Sequence, residues 1–261
     1  MGTALPSPVA IMTDLAPAEG GDPWAAGLLA LRKFYRPFVL IQSMALVLVI
    51  AYYRSDTVRE VCARLAAFKA AGGLLFSAAT ASFAGGILPE IAKVLGDRRR
   101  YTLQSRGGEI LFNLAFFAFN GLVIDFLYRT EGHLFGLQAS LGTVAQKTAF
   151  DQFVFTPLWL PLIITLYLWR KERFSLSAIA KLLRVPGFYR KRVLPLLLPD
   201  WFFWIPMVSI IYALPMPLQF LLFVLALGAW SLIMVSIATG SDVGNAQGGG
   251  GIGSGKGKGA A

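Results

Sequence analysis

The chain has 261 residues, 56% of them hydrophobic and 15% charged, with a mean hydropathy of +0.62, whereas a soluble domain carries about a quarter charged residues; the apolar excess falls in long blocks, which excludes a water-soluble fold and predicts an all-α, multi-pass transmembrane helix bundle. A net charge of +10 would suit nucleic acid, but Lys and Arg stand in short clusters between apolar blocks, as membrane-flanking residues do, so no nucleic-acid partner is expected. With Cys62 and His133 the only residues of their types and no serine in a G-x-S-x-G setting, neither a metal site, a cofactor nor an enzymatic activity is expected.

Residues 1–34 read as a disordered tail whose first part carries Asp14, Glu19 and Asp22 and no basic residue, the wrong balance for a transit peptide. Residues 37–53 form an uncharged run bracketed by Arg32, Lys33, Arg36 and Arg54; at about 1.5 Å per residue it nearly crosses a hydrocarbon core of about 30 Å. It is the first span. Residues 56–71 set Val58, Cys62, Leu65 and Phe68 opposite Arg59, Arg64 and Lys69, which predicts a short interfacial helix closing an N-terminal unit of residues 35–71.

The main bundle is expected over residues 72–240. Its first member, 72–88, places Gly73, Ser77, Ala81 and Gly85 four apart, a face of small residues that lets another backbone approach. It continues through Glu90 and Lys93 to Arg98, Arg99 and Arg100. A third span begins at residue 110 and reaches Tyr128, carrying Asn113, Asn120 and Asp125; His133 follows in a turn over 130–133 at the surface. The fourth runs from residue 137 through Lys147, Asp151 and Gln152 to residue 169, with Pro157 and Pro161 expected to kink it.

Residues 170–192 are the most basic stretch, with an interfacial helix over 177–183 ended by Pro186 and Gly187. Residues 201–241 carry no charge and are too long for one crossing, and Pro206, Pro215 and Pro217 break them into an entering segment, 201–212, and a fifth full span, 217–238. Residues 241–261 read as a Gly-rich disordered tail. Their 250–256 stretch mimics a phosphate-binding loop but has Gly257 where Ser or Thr is required. With five spans, Lys and Arg favour one side roughly two to one, placing the N-terminus, the Arg98 loop and residues 170–192 on the cytoplasmic or matrix-like side.

The segment from Lys147 through Asp151 and Gln152 to Pro157 resembles the K-x-x-x-D-Q-x-x-x-x-P signature of the Mpv-seventeen and twenty-two-kilodalton peroxisomal membrane protein family. Arg106 precedes the third span, whose Gly121 and Tyr128 match the ends of that family's G-P-x-x-H-x-W-Y stretch. Trp201 and Trp204 match its paired tryptophans, Pro215 its V-P position, and Trp230 its C-terminal tryptophan. The likeness covers residues 74–237, so 37–53 is an addition to the family's four spans. Leu122, Asp125 and Leu127 depart from its Pro, His and Trp, Ile205 from a Pro, and Gln219 from an Arg. The resemblance implies a channel or channel-like protein of an organellar membrane: mitochondrial inner first, with peroxisomal or plastid membranes as alternatives.

A charge at bilayer depth costs about 2.5–3.5 kcal/mol, so one that stays there should face a partner or a watery path. Lys147, Asp151, Gln152, Asp125 and Glu90 are therefore the pore or gate candidates. Lys147 and Asp151, four apart, are equally placed simply to pair with each other, while Gln152 points about 100° away and should bond a neighbouring helix. Pro157, Trp201, Trp204 and Trp230, with the small-residue ladder, read as helix packing or interface anchors. The expected function is a pore or transport protein for small solutes, anions among the candidates; a non-conducting membrane organiser is the alternative. Expected partners are the bilayer with its anionic headgroups and, compatibly with the pattern, a second copy of the chain.

Overall fold

Apolar backbone in hydrocarbon must satisfy its own hydrogen bonds, and a helix does so within one segment. The computed structural model describes residues 23–96, 107–184 and 186–248, and no strand occurs among them. In chain order the elements are α1 (Pro23–Arg54), α2 (Asp56–Ala81), a π-helical segment (Ser82–Ile87), α3 (Leu88–Gly96), α4 (Gly107–Phe135), α5 (Leu141–Phe150), a second π segment (Asp151–Phe155), α6 (Thr156–Lys171), α7 (Leu176–Leu183), a third π segment (Tyr189–Val193), α8 (Leu194–Tyr212) and α9 (Met216–Gly248). Six stretches are long and apolar enough to cross a membrane: Tyr35–Arg54, Asp56–Leu95, Gly107–Phe135, Leu141–Lys171, Tyr189–Tyr212 and Met216–Ile233. The chain is an all-α, multi-pass membrane protein.

Several expected boundaries shift. The supposed tail over 1–34 is helical from Pro23, because proline suits a helix start and an Ala- and Leu-rich run follows it. At the other end α9 continues past residue 241 to Gly248, propagating from the long apolar helix before it. The 201–212 segment is the end of a complete apolar helix beginning at Tyr189, so the spans number six. Asp200 marked a false boundary there: it is 9% exposed and lies within the helix. The turn expected over 130–133 is also helix, because α4 continues to Phe135, although His133 is exposed as read. Arg98, Arg99, Arg100, Arg106 and the 250–256 phosphate-loop mimic lie outside the described residues.

The small-residue ladder divides. Gly73 has φ 53° and ψ −136°, and nothing lies within 4 Å of where its Cβ would stand. It is therefore a joint and not a packing site, bending the chain between residues 56–71 and the span proper. Below it the packing is real. A Cβ on Gly121 of α4 would lie 2.5 Å from both the Ala81 Cβ and the Ser77 carbonyl oxygen, and one on Gly85 would strike the Phe117 ring. Ser82 Oγ donates to the Leu114 carbonyl at 2.5 Å across the same seam.

Helix α1 makes its most extensive contact with α8. A proline at 206 leaves the Phe202 carbonyl without its usual helical donor, and the Gln42 amide of α1 donates to the Phe202 and Phe203 carbonyls at 3.0 Å each. Near the other end of α1, Tyr53 Oη donates to the Ala213 carbonyl at 2.6 Å. Phe38, fully buried, stacks on Trp230 with ring centres 5.3 Å apart. The N-terminal helix is thus tied into the bundle by polar bonds that hydrocarbon strengthens.

Candidate functional site

The fourth span changes its winding at Asp151. Between Asp151 and Phe155 the helix loosens to a π turn, and the Thr156 N–H bonds to the Asp151 carbonyl. In the same pattern the Gln152 carbonyl would take its donor from residue 157, but Pro157 has none. Trp201 of α8 supplies it: its indole N–H donates to the Gln152 carbonyl at 2.9 Å. The next proline repeats the arrangement. Pro161 deprives the Pro157 carbonyl of a helical donor, and Tyr189 Oη reaches that oxygen at 3.4 Å.

The widened turn also changes where side chains go. Gln152 does not point away from Asp151 to bond another helix; its Nε2 donates to Asp151 Oδ1 at 3.2 Å, and both side chains are buried. A π turn advances each residue by a smaller angle than an α turn, which brings neighbours toward one face. The second Asp151 oxygen accepts from Tyr212 Oη at 2.7 Å. Lys147 therefore does not pair with Asp151, and it forms no ion pair among the described residues. Its ammonium sits 5.8 Å from the Tyr212 ring centre, within electrostatic reach of Glu131.

Asp151 and Gln152 open onto a cavity of about 130 Å³ between four helices. Its walls follow helical spacing: Asn120, Ile124 and Tyr128 from α4, and Leu196, Asp200, Trp204 and Val208, each four apart, from α8. The second π segment adds Phe155 and α6 adds Thr156 and Trp159, while α9 adds Phe223, Leu227, Trp230 and Ser231. Gln152 Oε1 and Ser231 Oγ are buried without a hydrogen-bond partner, and Trp159 Nε1 donates to Asn120 Oδ1 at 3.2 Å. Trp204 and Trp230, read as packing residues, stand in the wall, whereas Trp201 holds the π turn from outside it.

Two acidic residues of this region were not singled out by the sequence. Asp200 stands just before the uncharged 201–241 block, and Glu131 falls in the stretch expected to turn over 130–133. Glu131 is fully buried and close enough to Asp151, Lys147 and Tyr212 for direct electrostatic interaction. Asp200 lines the cavity and interacts electrostatically with Asp151. The signal for Asp200 was present in the 196, 200, 204, 208 periodicity, once a charge is allowed inside a span.

The other candidates lie elsewhere. Asp125 is buried but outside the cavity wall, held by Lys69 Nζ at 2.6 Å and Arg129 Nε at 2.8 Å. Lys69 comes from α2, so this cluster ties α2 to α4. Glu90 pairs with Lys93 at 2.9 Å, both side chains buried where α3 packs on α9.

Fold and site together define a multi-pass α-helical membrane protein with a cavity inside its bundle, whose largely apolar wall carries a few buried polar groups. No protein-family model matches the chain, and neither a curated protein nor a solved structure matches it.

Proposed function

We propose that this protein moves small solutes across an organellar membrane, with the cavity at Asp151 and Asp200 as a station on the path. The observation that carries the reading is that cavity: polar oxygens buried without partners, beside two carboxyl groups, in a bundle where Asp125 and Glu90, by contrast, are held in ion pairs. Hydrocarbon penalises such groups unless water or a solute meets them. The resemblance to the Mpv-seventeen and twenty-two-kilodalton peroxisomal membrane protein family is part of the proposal, because Asp151, Gln152, Phe155 and Thr156 of its quoted segment line the cavity.

A non-conducting organiser is favoured by a different observation, the Lys69–Asp125–Arg129 cluster, which ties α2 to α4. Planar-bilayer recording of the purified chain separates the two. The transport reading expects a defined conductance whose selectivity shifts toward anions in Asp151→Asn and toward cations in Lys147→Met. Lowered melting temperatures in both variants with no conductance in any preparation would support the organiser instead.

A further inference from the structure

We infer that the cavity between α4, α6, α8 and α9 takes a small organic ammonium ion. The inference rests on the reading of the cavity as a solute site and adds the class of solute. Asp151 and Asp200 stand in its wall, and among the described residues no Lys, Arg or His does. An anion would meet two carboxyl groups and no compensating donor of positive charge, whereas a cation supplies the missing counter-charge in a medium where Coulomb interactions are strong.

The rest of the wall chooses among cations. Eight of the twenty lining residues are aromatic, Trp159, Trp204, Trp230 and Tyr128 among them. Aromatic faces attract cations through their quadrupole, worth about 2 kcal/mol or more when desolvated, and they are the usual recognition surface for quaternary ammonium groups. A bare alkali ion needs a shell of oxygens, which this largely apolar wall does not offer. An organic cation is weakly hydrated and presents a hydrocarbon surface to rings and aliphatic side chains. Its size also fits, since the cavity of about 130 Å³ is close to the 150 Å³ or so that accommodates a benzene ring.

The polar atoms complete the arrangement. Gln152 is 2% exposed and Ser231 1%, and the Gln152 Oε1 and Ser231 Oγ atoms have no hydrogen-bond partner. Both residues belong to the wall, and both oxygens are acceptors suited to an ammonium or to the hydroxyl of an amino alcohol. Lys147 is outside the wall and turned toward Tyr212 and Glu131.

Three wall tryptophans make binding visible. Titrating the detergent-purified full-length chain with tetramethylammonium chloride, at constant ionic strength held with potassium chloride, should give a saturable change in tryptophan emission. Asp200→Asn should weaken the apparent affinity about tenfold, and Trp204→Leu comparably, the size of an unmet charge or a lost cation–π contact. Glu172→Gln, a loss of charge at an exposed position, should leave affinity unchanged. Melting curves establish that each variant is folded, so that Trp204→Leu still tests the inference where Asp200→Asn does not fold. Saturable binding of sodium acetate or phosphate with no response to tetramethylammonium would overturn the cation assignment while leaving the cavity a solute site. Competition by potassium at similar concentration would overturn the organic part of it. Silence toward all these probes, with no conductance in bilayers, would overturn both readings together.

Discussion

The indole N–H of Trp201 and the backbone carbonyl of Gln152 meet at 2.9 Å because Pro157, five residues after Gln152, has no N–H to give. One missing donor on the fourth span thereby fixes how the fifth docks against it. The same logic recurs where Gln42 meets the carbonyl freed by Pro206 and where Tyr189 meets the one freed by Pro161.

Trp201→Phe should therefore destabilise the protein by about 1–3 kcal/mol, the penalty for a carbonyl stranded without its donor. Gln42→Leu should cost a similar amount at the α1–α8 seam. Thermal melts in detergent of the two variants and of the double variant check this. The two losses should add, since the bonds share no partner.

Gly121 faces Ala81 and Ser77 too closely for any side chain. Gly121→Ala and Ala81→Leu should each lower stability by about 1–3 kcal/mol through overpacking. Gly73→Ala meets no neighbour yet should still lose about 1–3 kcal/mol, from backbone strain at positive φ. Melting midpoints measure all three, and equal stability of Gly73→Ala and the parent would remove the joint assigned to Gly73.

Asp125 compensates Lys69, which is 14% exposed, as well as Arg129, which is half exposed. Asp125→Asn should cost about 3–5 kcal/mol, chiefly from the Lys69 ammonium left in the interior, because Arg129 can turn to water. Because Asp125 is not in the cavity wall, the folded fraction should keep the parent's tetramethylammonium affinity, measured by tryptophan emission.

Six crossings return the chain to the side on which it started. Arg32, Lys33 and Arg36, the 170–192 basic stretch and the end of α9 then share one face, and Lys256 and Lys258 follow α9 in sequence. The basic bias between the two sides rises from roughly two to one to roughly three to one. Reporters fused to the two ends should label from the same side of sealed vesicles. Labelling from opposite sides would mean that Tyr189–Tyr212 does not cross.

The sequence by itself determined the solvent. Blocks of uncharged residues such as 37–53 and 217–238 cannot stay in water, and hydrocarbon leaves them only the helix, so fold class and most spans follow from composition and length. It also marked Ser77, Ala81 and Gly85 as a close-packed face, because small residues four apart share one side of a helix. Tertiary structure decided what the polar residues do. Asp125 and Asp151 look alike along the chain, yet one is clamped by Lys69 and Arg129 while the other accepts from Tyr212 and Gln152 at the edge of a cavity. Asp200 is one charge before an uncharged block along the chain, and only the packing of the other helices against α8 puts it in the cavity wall. The partners that distinguish Asp125 from Asp151 come from residues 50 or more positions away, Lys69 for the one and Tyr212 for the other. Local periodicity fixes the face a residue occupies on its own helix, and only packing sets what that face meets.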